Sequence, residues 1–409
     1  MKKILFFFFF FVLLSNYSHS ETKHDLQNTD ACNNALDEKN FSEIHKTKIK
    51  KIELDVNNYK KWTINNVKIL TTRSRFIPNN LKKNFKGKVK VIYQDGSICF
   101  MKARVRHSGD AKDHIAFKGN SVIQSLDIKL IDGNIRGITK FKLFKPDVRG
   151  NIDDVVLMTQ ILRDFGYLAP RSIKVQARVN QTESIMLFQE KAAKELLEFN
   201  NRREGPILEG DEKYMMKFSS EVKNYEGINW GEIFRVSELG SKIQLAKVTN
   251  SKWALKNNTF KKSAFRALDK LNFAYLVYLN NFNDDKNNFS FLDYHLDNKI
   301  LSQGSKKNLN YLNIYDGLIL AANGNHGLYV HNRKFYWNSE ESYFEPIYYD
   351  GEFNLKKTPK KLNFPLSENF TDSFDKLRIL LTDLNLENFS NHLESKKLFY
   401  NENEIKKKI

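Results

Sequence analysis

Residues 88–93 place Val, Val and Tyr on one face, and 98–107 resume the alternation after Asp95-Gly96. That dipeptide suits a tight hairpin turn, so the two runs read as paired strands. Shorter strand-like runs are expected at 51–56, 67–72, 126–130 and 138–144, the last two joined by Asp132-Gly133-Asn134. Residues 108–120 read as a loop. The period then changes. Val155, Met158, Ile161 and Leu162 make the stripe of a helix over 151–165, with Asn151 as cap, Asp153 and Asp154 in the first turn, and Gly166 and Pro170 ending it. A second hairpin is expected from 172–179 and 184–189 around Asn180, then a helix over 190–199. Residues 200–256 show no clear period. Phe260, Ala264, Leu268, Leu271, Tyr275, Tyr278 and Phe282 recur at helical steps and predict a long helix over 259–282. The runs 334–337 and 343–349 predict a last hairpin across the polar turn 338–342, and amphipathic helices over 372–383 and 386–399 follow.

A β-rich first half before a mostly helical second half predicts an α+β protein of two lobes with a cleft between them. The expected divisions are 48–199 for the β-rich N-terminal lobe and 200–409 for the mostly helical C-terminal lobe carrying the hairpin. A flexible polar segment is expected over 21–47. Residues 1–20 have the form of a signal peptide: Lys2 and Lys3, an unbroken apolar run over 4–14, and Ser18-His19-Ser20 before Glu21. That run is shorter than the about 20 residues needed to span a bilayer. The chain is therefore expected to be periplasmic or secreted, with no transmembrane segment after leader removal; an uncleaved signal anchor is the alternative. Export permits a Cys32–Cys99 bridge, with a buried free thiol at Cys99 as the rival. Formal charge is +18, or +16 once Lys2 and Lys3 leave with the leader. This favours anionic partners: nucleotide phosphates, acidic polymers or envelope surfaces. The excess is spread along the chain, and no zinc spacing, helix-turn-helix or RNA-binding motif accompanies it, so nucleic acid is not an expected partner.

The hairpin carries the main candidate chemistry. Its outer ends would bring Asn332 beside Asp350, 18 positions later. An amide oxygen and a carboxylate there would suit Mg²⁺, which takes few protein oxygens and fills its shell with phosphate and water. The alternative is a turn cap at Asn332 and a strand end at Asp350-Gly351. Upstream, Ser108 and Gly109 follow a strand and would offer backbone amides to a phosphate, or form an ordinary loop. Lys140 and Lys142 share a strand face, with Lys129 nearby, and are candidate phosphate contacts or solvated lysines. Glu190 closes an apolar strand and would orient the lysine, or begin a helix where an anion is favoured. Gly-x-Ser-x-Gly, Walker, Rossmann and His-Glu-x-x-His patterns are absent from the sequence.

The pieces VRHSGDAKDH, SLDIKL, TKFKLFKPDVR, LRDFGYLAPRSIKVQARVN, MLFQEK, HGLYVHNRKFYW and EPIYYDG fall in one order over about 250 residues, from Arg104 to Asp350. In that order they resemble the CotH family, the atypical protein kinases first known from spore coats. The resemblance implies a kinase-like fold and an exported phosphotransferase using ATP with Mg²⁺ or Mn²⁺. It further implies Asp350 as main metal ligand, Asn332 as second ligand, Lys140 or Lys142 on phosphate, and Glu190 holding the lysine. The acceptor would be a hydroxyl of a protein or of an envelope glycan. One departure is clear: no Asp lies between Asp316 and Asp350, where the family places its catalytic acid before the Asn. His326 is the substitute acid–base candidate, and Asp316 would have to reach in from upstream. A non-catalytic, pseudokinase-like envelope scaffold or a binder of acidic cell-surface glycan is the alternative function. An exported hydrolase using His326 and His331 with Asp350 at a metal is a third.

Overall fold

A computed structural model describes residues 49–73, 76–119, 121–211, 245–284 and 296–357. The expected signal peptide, polar segment and two closing helices lie outside them. Period-two patterning governs the first part. β1 (Ile49–Val56), β2 (Phe85–Tyr93) and β3 (Ile98–His107) pair antiparallel in succession. After a two-stranded sheet of β4 (Ile115–Lys118) and β5 (Ser121–Gln124), the ladder continues with β6 (Leu126–Leu130), β7 (Lys140–Phe144), β8 (Ser172–Val179) and β9 (Thr182–Glu190). The order is β1-β2-β3-β6-β7-β9-β8, and a parallel β8/β1 pairing closes it into a barrel. Closure removes both exposed sheet edges. Val89, Val91, Cys99, Met101, Ala103, Ile128, Phe141 and Leu143 fill the interior from alternate positions. Cys99 is disulfide-bonded; Cys32, the only other cysteine, lies outside the described residues.

This architecture overturns the expected two-lobe kinase-like fold with a helical C-terminal lobe. Among the described residues the chain is β-rich: the barrel is followed by a four-stranded sheet, ordered β11-β10-β12-β13, from β10 (Ile207–Gly210), β11 (Ala246–Val248), β12 (Lys334–Asn338) and β13 (Tyr343–Ile347). Seven α-helices accompany these strands: α1 (Tyr59–Thr71), α2 (Ile152–Asp164), α3 (Lys194–Phe199), α4 (Ser251–Ala254), α5 (Asn258–Asp284), α6 (Asn298–Leu301) and α7 (Lys306–Ala321). The expected strand at 67–72 is the end of α1. Trp62, Asn65, Asn66 and Ile69 are buried at helical steps, and Asn58 caps its N-terminus. The expected helix over 190–199 shrinks to the six residues of α3, because Glu190 stays in the β9 ladder opposite Phe141.

Two helices form as expected. Asn151 accepts bonds from the amides of Asp153 and Asp154 at the start of α2, and Gly166 at φ 81° ends it, with Tyr167 N–H returning to Leu162 O at 2.9 Å. α5 lays Ala267, Leu271, Ala274 and Tyr275 against Leu208, Phe335 and Trp337 of the sheet. The sheet is tied to the barrel side where Tyr348 N–H bonds Leu168 O at 2.8 Å.

Candidate functional site

The β12/β13 ladder pairs Lys334 with Ile347 and Asn338 with Tyr343. Its open end therefore presents the segments just outside, 326–332 and 348–352, to each other. Gly327 allows close approach: a Cβ there would lie 3.0 Å from Tyr349 O and 3.1 Å from Gly351 Cα. Asn332 and Asp350 both contact His326 at this end, Asn332 through its amide nitrogen rather than the oxygen a cation would take. Asn332 Nδ2 lies 2.9 Å from His326 O and 3.2 Å from His326 Nδ1, while the same Nδ1 lies 2.9 Å from Asp350 O and 3.7 Å from Asp350 Oδ1. Glu352 Oε1 is 3.6 Å from Nδ1. Ligating atoms of His326, Asp350 and Glu352 all lie within 4.8 Å of one another.

The electrostatics of this cluster differ from a bare metal site. Arg149 is ion-paired with Asp350 Oδ2 and donates to Tyr349 Oη at 3.0 Å. Asp350 Oδ1 is buried with no hydrogen-bond partner, the one observation that fits a missing cation. Burial pushes the His326 ring below its ordinary range, against the opposing charge of Glu352, so the imidazole is neutral at pH 7. Asn332 Nδ2 also lies 3.3 Å from Nε2. With Nδ1–H donating to Asp350 O, both ring nitrogens are engaged, so His326 clamps the loop rather than facing a substrate. A mixed imidazole–carboxylate set suits Mn²⁺ or Zn²⁺ better than Mg²⁺, which prefers oxygen alone.

Beside the cluster, barrel and sheet enclose a cleft of about 870 Å³. Ten lysines and arginines line it against five carboxylates. Those carboxylates are already engaged. Asp127 holds Lys191 at 2.9 Å and Arg106 at 2.7 Å, Glu209 pairs with Lys334 and Lys247, Glu204 pairs with Lys256, Asp110 with Lys82, and Glu190 with Arg171. At the inner end three cations face one ring. Lys334 Nζ, Arg149 Cζ and Lys142 Nζ lie 4.1, 4.8 and 5.4 Å from the Tyr349 centroid. The Lys142 ammonium makes no ion pair or hydrogen bond among the described residues, its contacts being with the Phe144 and Tyr349 rings. Burial first, then the charges of Lys142, Arg149 and Lys191, lowers Lys334 to about 8. The Tyr349 phenol opposes that shift and the Glu209 ion pair favours the ammonium as well, but burial sets the direction and the like charges add to it.

The remaining expected residues divide cleanly. Lys140 and Lys142 do share the cleft face, and Lys140 sits 3.8 Å from Glu195. Ser108 and Gly109 are not among the residues lining the cleft, although Arg106 and Asp110 on either side of them are. Ser108 is buried with its amide on Ser125 O, and a Cβ on Gly109 would meet the His114 ring at 2.1 Å. That glycine exists to pack His114, not to cradle phosphate. Glu190 does not orient a lysine; it grips Arg171 through bonds of 2.7 and 2.9 Å. Asp316 is locked against Arg333 at 3.1 Å inside the core and cannot replace the absent loop acid. Arg149, Lys191, Lys334, Tyr349 and Glu352 were not singled out from sequence. Arg149, Lys191, Lys334 and Tyr349 fall within the pieces that carry the CotH resemblance, and Glu352 carried no signal. No family model matches the chain, and no curated protein matches it.

Proposed function

We propose that the chain is an exported, CotH-like binding protein for phosphate-bearing small molecules, with a nucleotide such as ATP seated in the cleft. The carrying observation is the convergence of Lys142, Lys334 and Arg149 on Tyr349, with Lys191 beside them and no carboxylate on Lys142. A polyphosphate supplies the counter-charge that Lys142 lacks, and lysines serve phosphates as point charges. Export is supported by the leader-like first 20 residues and by the disulfide at Cys99. The absent loop acid, the locked Asp316 and the Arg149–Asp350 pair favour binding without turnover.

Phosphate transfer to a protein or envelope-glycan hydroxyl is the second reading, favoured by the orphaned Asp350 Oδ1 next to His326 and Glu352. Asp350 and Glu352 would hold a divalent cation, joined by His326 once a ring nitrogen lets go of Asp350 O or Asn332, and the cation would neutralise phosphate charge. Calorimetry on the protein without its first 20 residues, with ATP in EDTA and then with Mn²⁺, tests the first reading. Micromolar ATP binding in EDTA is expected, and absence of binding in either condition overturns it. Radiolabel transferred from ATP to an envelope extract, and lost in Asp350→Asn, would select the second reading. Binding of acidic glycan but not ATP would select the alternative envelope role.

A further inference from the structure

A second pocket, of about 530 Å³, lies behind the Glu190–Arg171 ion pair, on the opposite side from the cationic cleft. Its volume falls within the roughly 300–1,000 Å³ of small-molecule sites. Ile135, Ile138, Val156, Ile173 and Phe188 supply an apolar floor, and Arg136, Arg163, Arg171, Arg202 and Lys174 surround it together with two carboxylates, Asp153 and Asp164. Most of those charges are answered. Arg171 holds Glu190, Lys174 holds Asp153 at 2.9 Å, and Arg202 holds Glu345 at 2.8 Å. Arg163 is different. Its two hydrogen bonds, both 2.6 Å, go to neutral oxygens, Pro170 O and Gln160 Oε1. It forms no ion pair among the described residues. Burial, together with neighbouring Arg171 and Arg136, lowers its guanidinium to about 10 although Glu190 and Asp164 oppose the shift. A partly buried guanidinium whose hydrogen bonds go only to neutral acceptors can take a counter-charge from a ligand.

We propose that this pocket binds a small amphipathic carboxylate, its anion on Arg163 and its apolar body against Ile138, Val156 and Ile173. One unanswered cation calls for a monoanion rather than a doubly charged phosphate. A guanidinium fork matches a carboxylate in geometry. The assignment is independent of the nucleotide reading, because it shares no ligand-contacting residue with it.

Calorimetry with 2-naphthoate and its neutral isostere 2-naphthamide tests it on the whole folded chain. The carboxylate should bind at least about tenfold tighter than the amide, the order of a charge-assisted bond. Arg163→Gln should erase that difference. Val156→Trp, at a partly buried position of α2 that lines the pocket, should block both compounds while the folded circular-dichroism spectrum and ATP binding in the cleft are retained. Lys142→Ala should leave naphthoate binding intact. Equal affinity for acid and amide, unchanged naphthoate binding in Arg163→Gln or Val156→Trp, loss of it in Lys142→Ala, or no binding at all would each overturn the assignment.

Discussion

Lys334 should give nucleotide binding a pH dependence in a window where the ligand itself does not titrate. Its side chain is 14% exposed, and burial with three cationic neighbours holds it at about 8, against 10.5 when unfolded. A bound phosphate favours the ammonium form. If the complex keeps Lys334 charged throughout, ATP affinity should fall about 30-fold between pH 7 and 9.5, tenfold per unit above the free value. A phosphate ester's second pKa is near 6, so the charge on the ligand is constant across this range. Binding near pH 8.5 should also take up protons, seen as a dependence of the heat on the buffer's ionisation enthalpy. Without ligand the sign for stability is the reverse of the usual lysine. Between pH 8 and 10.5 the unfolded chain holds the proton and the folded chain does not, so this residue's contribution rises with pH, by at most about 3 kcal/mol. Because buried tyrosines oppose this above pH 10, the comparison is wild type against Lys334→Met. An affinity flat from pH 7 to 9.5, or the same profile in Lys334→Met, refutes the reasoning.

Three further outcomes follow from the same coordinates. Arg149 and Asp350 side chains are 9% and 14% exposed, so Asp350→Asn should destabilise by about 3–5 kcal/mol in urea titration, and adding Arg149→Met should recover part of that loss. His107 and His114 are buried and held at about 4 and about 3 by desolvation. As pH falls below 6.5 the unfolded chain takes up their protons first, so stability should drop by about 2–3 kcal/mol per histidine by pH 4.5; His107→Gln should flatten the profile. Trp337 is 1% exposed in the sheet core, and Trp337→Ala should lower stability by about 3–5 kcal/mol in the same titration.

The barrel strands were legible because each buries one face, which writes a period of two into the sequence: Val89, Val91 and Tyr93 inward, Lys88 and Lys90 outward. Barrel closure was not legible, since it depends on Lys51–Leu54 of β1 meeting Gln176–Val179 of β8 more than a hundred residues away. α7 went unseen because it is buried almost all round, from Asn308 to Leu320, so no polar face marks its period. β10 and β11 have four and three residues, too few for alternation to register. The hairpin's register, readable from the two β-prone runs, brings the segments holding Asn332 and Asp350 to one end, where both touch His326. What sequence reasoning could not see was a cation from the barrel side, Arg149, arriving at the same carboxylate. Gly109 failed for a related reason: its freedom serves contact with His114, five residues on and invisible to motif matching.

The most direct test is where the phosphates of ATP settle in a crystal of the complex. They should lie within hydrogen-bond distance of Lys142 Nζ and Lys334 Nζ, beside the Tyr349 ring. Phosphates seated in the arginine-lined pocket behind Glu190, or on the outer lysines alone with Lys142 untouched, would contradict the assignment.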